Sequence, residues 1–160
     1  MAGFGTKTFL KYDDYTTPFE TWKSIKQYIP NNKIIWSPFY CDGKQKEHFE
    51  KMGFEIIHKK KDFFKYTPEY DILIDNPPFG KKREILEKLK LLDKPFILIM
   101  PQNTINTSYI KPFDKDMQIL IPRRRIQFIK DGITKTNKCN FDCFFYCYKM
   151  KLPRDIIWLE

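Results

Sequence analysis

The stretch Tyr70-Asp71-Ile72-Leu73-Ile74-Asp75-Asn76-Pro77-Pro78-Phe79 decides how this chain is read. Its first six residues are mostly apolar and predict a buried strand. Two prolines follow that cannot donate to a sheet ladder, so the strand must stop at Asp75. Beyond them, Ile85, Leu86, Leu89 and Leu92 predict an amphipathic helix over 81–92 with a basic outer face. Ligands in open α/β sheets bind outside the carboxyl ends of the strands. An asparagine, two prolines and an aromatic at such an end therefore stand where a site belongs.

Upstream, Ile34-Ile35-Trp36 reads as a short buried parallel strand that runs into the irregular Ser37-Pro38-Phe39-Tyr40-Cys41-Asp42-Gly43. A short helix over 44–52, with Phe49 and Met52 on one face, is ended by Gly53, and 54–58 is the next strand. The first helix opens at Thr17-Pro18-Phe19-Glu20. Thr17 suits the N-cap, Pro18 the first helical position, and Glu20 closes a capping box. Phe19, Trp22, Ile25 and Ile29 then form one stripe, ended by Pro30-Asn31-Asn32. Downstream, 96–100 is a fourth buried strand, 102–108 a polar loop, and 118–122, 125–129 and 139–150 are strand-like. The order β-α-β-β-α-β predicts an α/β fold with a mostly parallel sheet and crossover helices. The hairpin-like end predicts an antiparallel edge.

A chain of 160 residues suits one domain over 1–160, with 1–14 expected as a flexible N-terminus. With 42% hydrophobic and 17% aromatic residues, intrinsic disorder is excluded. Lys and Arg number 29 against 20 Asp and Glu, and the resulting +9 favours a polyanionic partner, nucleic acid ahead of membrane. No apolar run reaches the ~18 residues of a membrane span, and 1–10 has no signal-peptide core. An intracellular protein, cytoplasmic or nuclear, is expected, so the sequon Asn106-Thr107-Ser108 is read as chance. Cys41, Cys139, Cys143 and Cys147 are then expected to be reduced. The last three share strand parity at spacings of roughly 13 Å, too far apart to ligate one metal, and no metal site is expected.

The segment 75–79 resembles the Asn/Asp-Pro-Pro-aromatic motif of S-adenosylmethionine-dependent amino-group methyltransferases, and is similar to that of small phage-type, Dam-like DNA adenine-N6 methyltransferases. Other segments fall in the same order. Tyr15-Thr16-Thr17-Pro18 looks like the Thr-Pro element beside the donor's methionine moiety. The loop 38–43 lies where the methyl-donor loop of that family falls, and Asp62-Phe63-Phe64 resembles the acidic–aromatic pair that holds its adenine. Arg125-Ile126-Gln127-Phe128 resembles the closing strands of the phage group. The resemblance implies a Rossmann-like class I methyltransferase fold, compressed between the first and catalytic strands because only 33 residues separate Gly43 from Asn76. It implies S-adenosylmethionine as cofactor, held by Thr17, Pro18, Pro38, Tyr40, Asp42, Gly43, Asp62 and Phe63. It implies a catalytic set of Asn76, Pro77, Pro78 and Phe79, in which the Asn76 side chain and the Pro77 carbonyl accept the adenine amine's protons, Pro78 shapes the loop and Phe79 stacks on the target base.

Three positions depart from that family's pattern. Ser37 stands where an acid usually precedes the proline, Cys41 where the first glycine is expected, and Lys59 where an acid would hold the ribose. A wider turn must accommodate Cys41, and Asp62 would serve both ribose and adenine. Thr17 reads equally as a helix cap, Asp62 as a solvated turn residue, and Asp42 as a donor contact or a turn former.

Basic clusters stand at 59–61, 81–83 and 123–125. Lys81, Lys82 and Arg83 directly follow the catalytic loop, and Asn103 and Thr104 border the same cleft, so these five are expected to contact nucleic acid. The 81 residues after Phe79 are nearly all needed for the remaining strands. A separate target-recognition domain is therefore not expected, and target reading falls to a protein partner or to the substrate's shape. The leading expectation is methylation of adenine N6 in DNA. The alternatives are the same chemistry on RNA, or a catalytically inactive nucleic-acid-binding subunit.

Overall fold

Strand β1 (Ile34–Trp36) pairs in parallel with β2 (Glu55–Ile57) on one side and with β3 (Ile72–Asp75) on the other. The chain therefore reverses its direction of winding at β1, and a crevice opens there between the carboxyl ends of β1 and β3. The computed structural model describes residues 15–130, 133–134 and 142–160. The expectations for 1–14 and for Cys139 lie outside them.

Next to β3 stands β4 (Phe96–Pro101), also parallel. Further along the chain come β5 (Met117–Ile121), the hairpin strands β6 (Ile129–Lys130) and β7 (Ile133–Thr134), β8 (Cys143–Tyr148) and β9 (Ile156–Trp158). The main sheet has seven strands in the order β2-β1-β3-β4-β8-β5-β9. Only β8 runs against the rest, pairing antiparallel with both β4 and β5, while β9 lies parallel to β5. The antiparallel strand is thus inside the sheet and not at its edge. Its composition explains the placement: Phe145, Tyr146 and Cys147 are all buried, and a strand apolar on both faces belongs between neighbours.

Among the described residues three helices cover the sheet. Helices α1 (Phe19–Lys23) and α2 (Lys44–Lys51) bring Trp22 and Phe49 onto one face, against Ile35, Ile74, Ile97 and Phe145. Helix α3 (Lys82–Leu92) lays Ile85, Leu86 and Leu89 on the other, against Trp36, Leu73, Leu98 and Tyr146. Among the described residues no helix is long and apolar enough to cross a membrane. Between β2 and β3 no helix or further strand intervenes, which is the compression expected between the first and catalytic strands.

Local chemistry corrects several expectations. The first helix is capped by Pro18 with no side-chain cap bond, so the Thr17–Glu20 capping box does not form. The α-helix stops at Lys23, and the stripe continues through a 3₁₀ turn (Lys26–Tyr28). Ser24 Oγ donates to the Thr21 carbonyl at 2.6 Å, offering the backbone an alternative to helix continuation. The segment 125–128 is irregular, with only Ile129–Lys130 in a strand. Strand β9, three residues long with only Ile157 buried, carries too little periodicity to be read from sequence.

Candidate active site

Ser37 leaves β1 and Asp75 ends β3, and the two meet at the crevice. Asp75 Oδ2 accepts Ser37 Oγ–H at 2.9 Å and the Phe39 backbone N–H at 2.7 Å. Its Oδ1 accepts the Asn76 N–H at 2.7 Å and the Gln45 side-chain amide at 3.3 Å. Gln45 in turn accepts the Trp22 indole N–H at 2.8 Å, tying α1 and α2 to the same hub. Burial pushes the Asp75 carboxyl up to about 7, against the pull of the hydrogen bonds from Phe39, Asn76 and Ser37. Sequence reasoning leaves Asp75 out of the site. The signal is present, since an acid ending an Ile-Leu-Ile strand must be buried and therefore must be paired. The acid missing at position 37 has a spatial counterpart on the adjacent strand.

The loop after β1 turns tightly. Pro38 is buried, Cys41 takes φ +50 and Gly43 φ +79. Cys41 thus adopts the left-handed backbone that a glycine would take without cost. The Gly43 N–H closes the turn onto the Tyr40 carbonyl at 2.8 Å. The Tyr40 ring lies across Gly43, where a Cβ would come within 2.6 Å of Tyr40 Oη. The same ring stacks on His58 at 4.9 Å with the planes 16° apart. Burial holds the His58 imidazole below its ordinary pKa, while its Nδ1 lies 2.7 Å from the Ser37 carbonyl.

The N-terminal segment crosses this loop. Thr16 forms a two-bond backbone bridge with Ile129 and donates its hydroxyl to Asp42 Oδ2 at 2.9 Å. Asp42 Oδ1 also accepts the Lys44 N–H, so Asp42 both shapes the turn and faces the cleft. Thr17 is buried, and its hydroxyl has no hydrogen-bond partner. The same is true of Asn76 Oδ1, a buried acceptor left unsatisfied at the end of β3. Buried polar atoms are ordinarily paired, and these two, both lining one cavity, are open to a partner.

Thr17, Tyr40, Asp42, Asp75 and Asn76 line one cavity, which brings the Thr-Pro element, the loop after β1 and the Asn-Pro-Pro segment together. The cavity holds only about 20 Å³. Small-molecule sites usually offer roughly 300–1,000 Å³. The polar groups fit a donor in kind, and Tyr40 is one of the side chains that close around the space. Phe79 is packed into the core at 6% exposure, beside buried Pro77 and half-buried Pro78.

The structure does not bring every expected residue to this cavity. Asp62 accepts the Phe64 N–H in a local turn and is exposed. Phe63 is buried in an aromatic cluster, stacked on Trp36 at 5.5 Å and tilted against Phe39 at 5.1 Å. Pro18 caps α1 beside the cleft. Lys81 and Arg83 are exposed at the start of α3 with Lys82 half-buried, and Arg83 lies over the Tyr109 ring at 5.4 Å. Asn103 is exposed, whereas Thr104 is fully buried and presents no surface to a polymer. Cys143 and Cys147 are buried on β8, neither in a disulfide. Among the described residues no group of His, Cys, Asp and Glu side chains is placed to hold a metal ion.

No protein-family model matches the sequence, and no curated protein does. Among solved structures, the crystal structure of a dimethyladenosine transferase from Plasmodium falciparum aligns with a TM-score of 0.52 at 10% identity, over 84% of this chain and 62% of that one. A methyltransferase from Pyrococcus furiosus aligns with a TM-score of 0.44 at 11% identity, over 84% and 83% of the two chains. This chain thus spans less than two thirds of the length of the dimethyladenosine transferase. With the strand order, the first likeness establishes the architecture: a Rossmann-like methyltransferase fold.

Proposed function

We propose that this chain transfers a methyl group from S-adenosylmethionine to the N6 amine of adenine in a nucleic acid. The observation that carries the reading is Asn76 Oδ1, a buried, unpaired acceptor at the carboxyl end of β3, beside the switch point of the sheet. An adenine amine is conjugated into its ring and is a poor nucleophile. An acceptor on each of its N–H groups draws it toward tetrahedral geometry and directs its lone pair. Asn76 Oδ1 supplies one acceptor and the Pro77 carbonyl the other. Asp75, by holding the Asn76 N–H, sets the orientation of that asparagine. Positioning and electrostatics then do most of the catalysis, and no strong base is needed.

S-adenosylmethionine, when bound, supplies an electrophilic methyl group. Thr17, Pro18, Pro38, Tyr40, Asp42 and Gly43 would hold it, and the family resemblance would assign its adenine to Asp62 and Phe63, which do not line the cavity as it stands. The Tyr40 ring must swing off Gly43 to give it room. Phe79 must expose more of its edge to meet a base that has left its stack. Lys81, Lys82, Arg83 and Asn103 would contact the polymer, in line with the +9 charge.

DNA is the first substrate reading, from the resemblance of the 75–79 segment to phage-type DNA enzymes. RNA is the second, favoured by the similarity of the fold to a dimethyladenosine transferase. Transfer of labelled methyl to single- and double-stranded DNA and RNA, with Asn76→Ala as control, tests both. Incorporation into one polymer, reduced at least ~100-fold in the variant, supports the reading and selects the nucleic acid. Silence on all four overturns it and leaves a binding role.

A further inference from the structure

The basic cluster at 123–125 begins where β5 ends. Ile121 passes through Pro122 into Arg123, Arg124 and Arg125, at the same edge of the sheet as Asp75. There the three arginines and Pro18, the cap of α1, line a groove of about 330 Å³. That is the room a small-molecule site needs, roughly 300–1,000 Å³. Its floor is apolar, made by Ile126, Phe145 and Leu159, which belong to the core on the α1 side of the sheet. Thr17, the residue before Pro18, lines the small cavity that holds Asn76. Consecutive Cα atoms stand ~3.8 Å apart, so the groove and the candidate active site meet at one wall.

The polar groups of the groove are of two kinds. Arg125 is held by Asp142 at 2.7 Å, whereas Arg123 and Arg124 are exposed and have no ion-pair partner among the described residues. Gln127 lines the same groove, and its Nε2 donates to the Arg125 carbonyl at 3.1 Å. A carbonyl only accepts, so this bond fixes the amide with its oxygen as the remaining group. That Oε1 is buried and has no hydrogen-bond partner. Glu20 and Glu160 line the groove as well, and neither is ion-paired among the described residues. Cations without partners, acceptors without partners and an apolar floor therefore stand together.

A nucleotide presents the complementary set: a phosphate, the N–H donors of an amino-bearing base and an apolar base face. We propose that this groove takes a nucleotide of the substrate strand beside the target, its phosphate on Arg123 and Arg124 and its base amine on Gln127 Oε1. This rests on the reading of the substrate as a nucleic acid. Cytosine offers an amine where thymine offers only the O4 acceptor, which would leave Gln127 Oε1 unpaired. The groove thus favours bases that carry an exocyclic amine.

The intact chain is titrated with short labelled oligo-dC and oligo-dT, and with oligo-rC and oligo-rU, and binding is read by fluorescence anisotropy. The cytosine strand should bind about fivefold tighter than its thymine or uracil counterpart, the worth of one hydrogen bond. Gln127→Leu should erase that preference, whereas Asn76→Ala should keep it. Reversing Arg123 and Arg124 to Glu should lower the slope of log affinity against log salt by about 0.7 for each phosphate no longer neutralised. Both arginines are exposed, so this variant keeps the test decisive if Gln127→Leu fails to fold. Equimolar cytidine monophosphate should not displace the strand; displacement would give the groove to a free nucleotide and overturn its place on the substrate. Strand binding with the cytosine preference but no methyl transfer sinks the enzyme reading and keeps the groove. Methyl transfer with affinity and salt slope indifferent to the arginine reversal, or with a preference that survives Gln127→Leu, overturns the groove and keeps the enzyme. No binding to any strand overturns both.

Discussion

The Asp75 carboxylate accepts the Phe39 backbone N–H at 2.7 Å, so the last residue of one strand holds the loop that leaves its neighbour. Through the same side chain, the Asn76 amide and the Ser37 hydroxyl are fixed to each other. Movement of the loop after β1 is therefore felt at Asn76.

Asp75→Asn tests that hub. The amide must turn its NH₂ toward one of the N–H donors, at a cost of about 1–3 kcal/mol. The folded carboxyl titrates near 7 and the unfolded one near ~3.9. The fold thus holds the proton more tightly, and this contribution to stability is complete below ~4 and lost as the pH rises through about 7. Wild type should exceed Asp75→Asn in Tm at pH 4.5, with the gap closing toward pH 8. A gap independent of pH would show that Asp75 stays ionised throughout.

Thr17→Val separates a donor contact from a structural role. The Thr17 hydroxyl is buried and unpaired, so a valine of the same shape should leave stability unchanged or raise it by up to ~1 kcal/mol. Calorimetric titration with S-adenosylmethionine should nonetheless show affinity about five- to tenfold weaker. A drop of ~1 kcal/mol in stability with unaltered affinity would restore the helix-cap role instead.

Gly43→Ala meets two obstacles. Its φ of +79 disfavours any Cβ, and that Cβ would sit 2.6 Å from Tyr40 Oη. Urea unfolding should show a loss of about 1–2 kcal/mol. Adding Tyr40→Ala should recover the steric part and leave the conformational part, giving a favourable coupling in a double-mutant cycle. Additive losses would mean that Tyr40 yields freely, and that it presents no barrier to a donor.

Charge reversal at Lys81 and Arg83 should weaken oligonucleotide binding and flatten its salt dependence by about 0.7–0.9 for each phosphate these side chains had neutralised. Both side chains are exposed at the start of α3, so Tm should move by little. Equal affinity and an equal salt slope in filter-binding measurements would remove this cluster from the interface.

What the sequence determined by itself is local and periodic. Apolar runs of three to six residues, punctuated by Gly53 and Pro77-Pro78, placed β1 to β4 and the helices α2 and α3 to within two residues, because a strand buried on both faces and a striped helix advertise themselves in composition. The Asn-Pro-Pro-Phe segment pointed to the carboxyl end of β3 as the candidate site. The tertiary structure alone decided what depends on partners distant in the chain. It set β8 between β4 and β5, gave the N-cap to Pro18 and left the Thr17 hydroxyl idle, and drew Phe63 and Phe79 into the core. It also joined Asp75 to Ser37, 38 residues away. Hydrogen bonds and burial of that kind are set by which strands lie side by side, and strand order is not written in any single stretch of sequence.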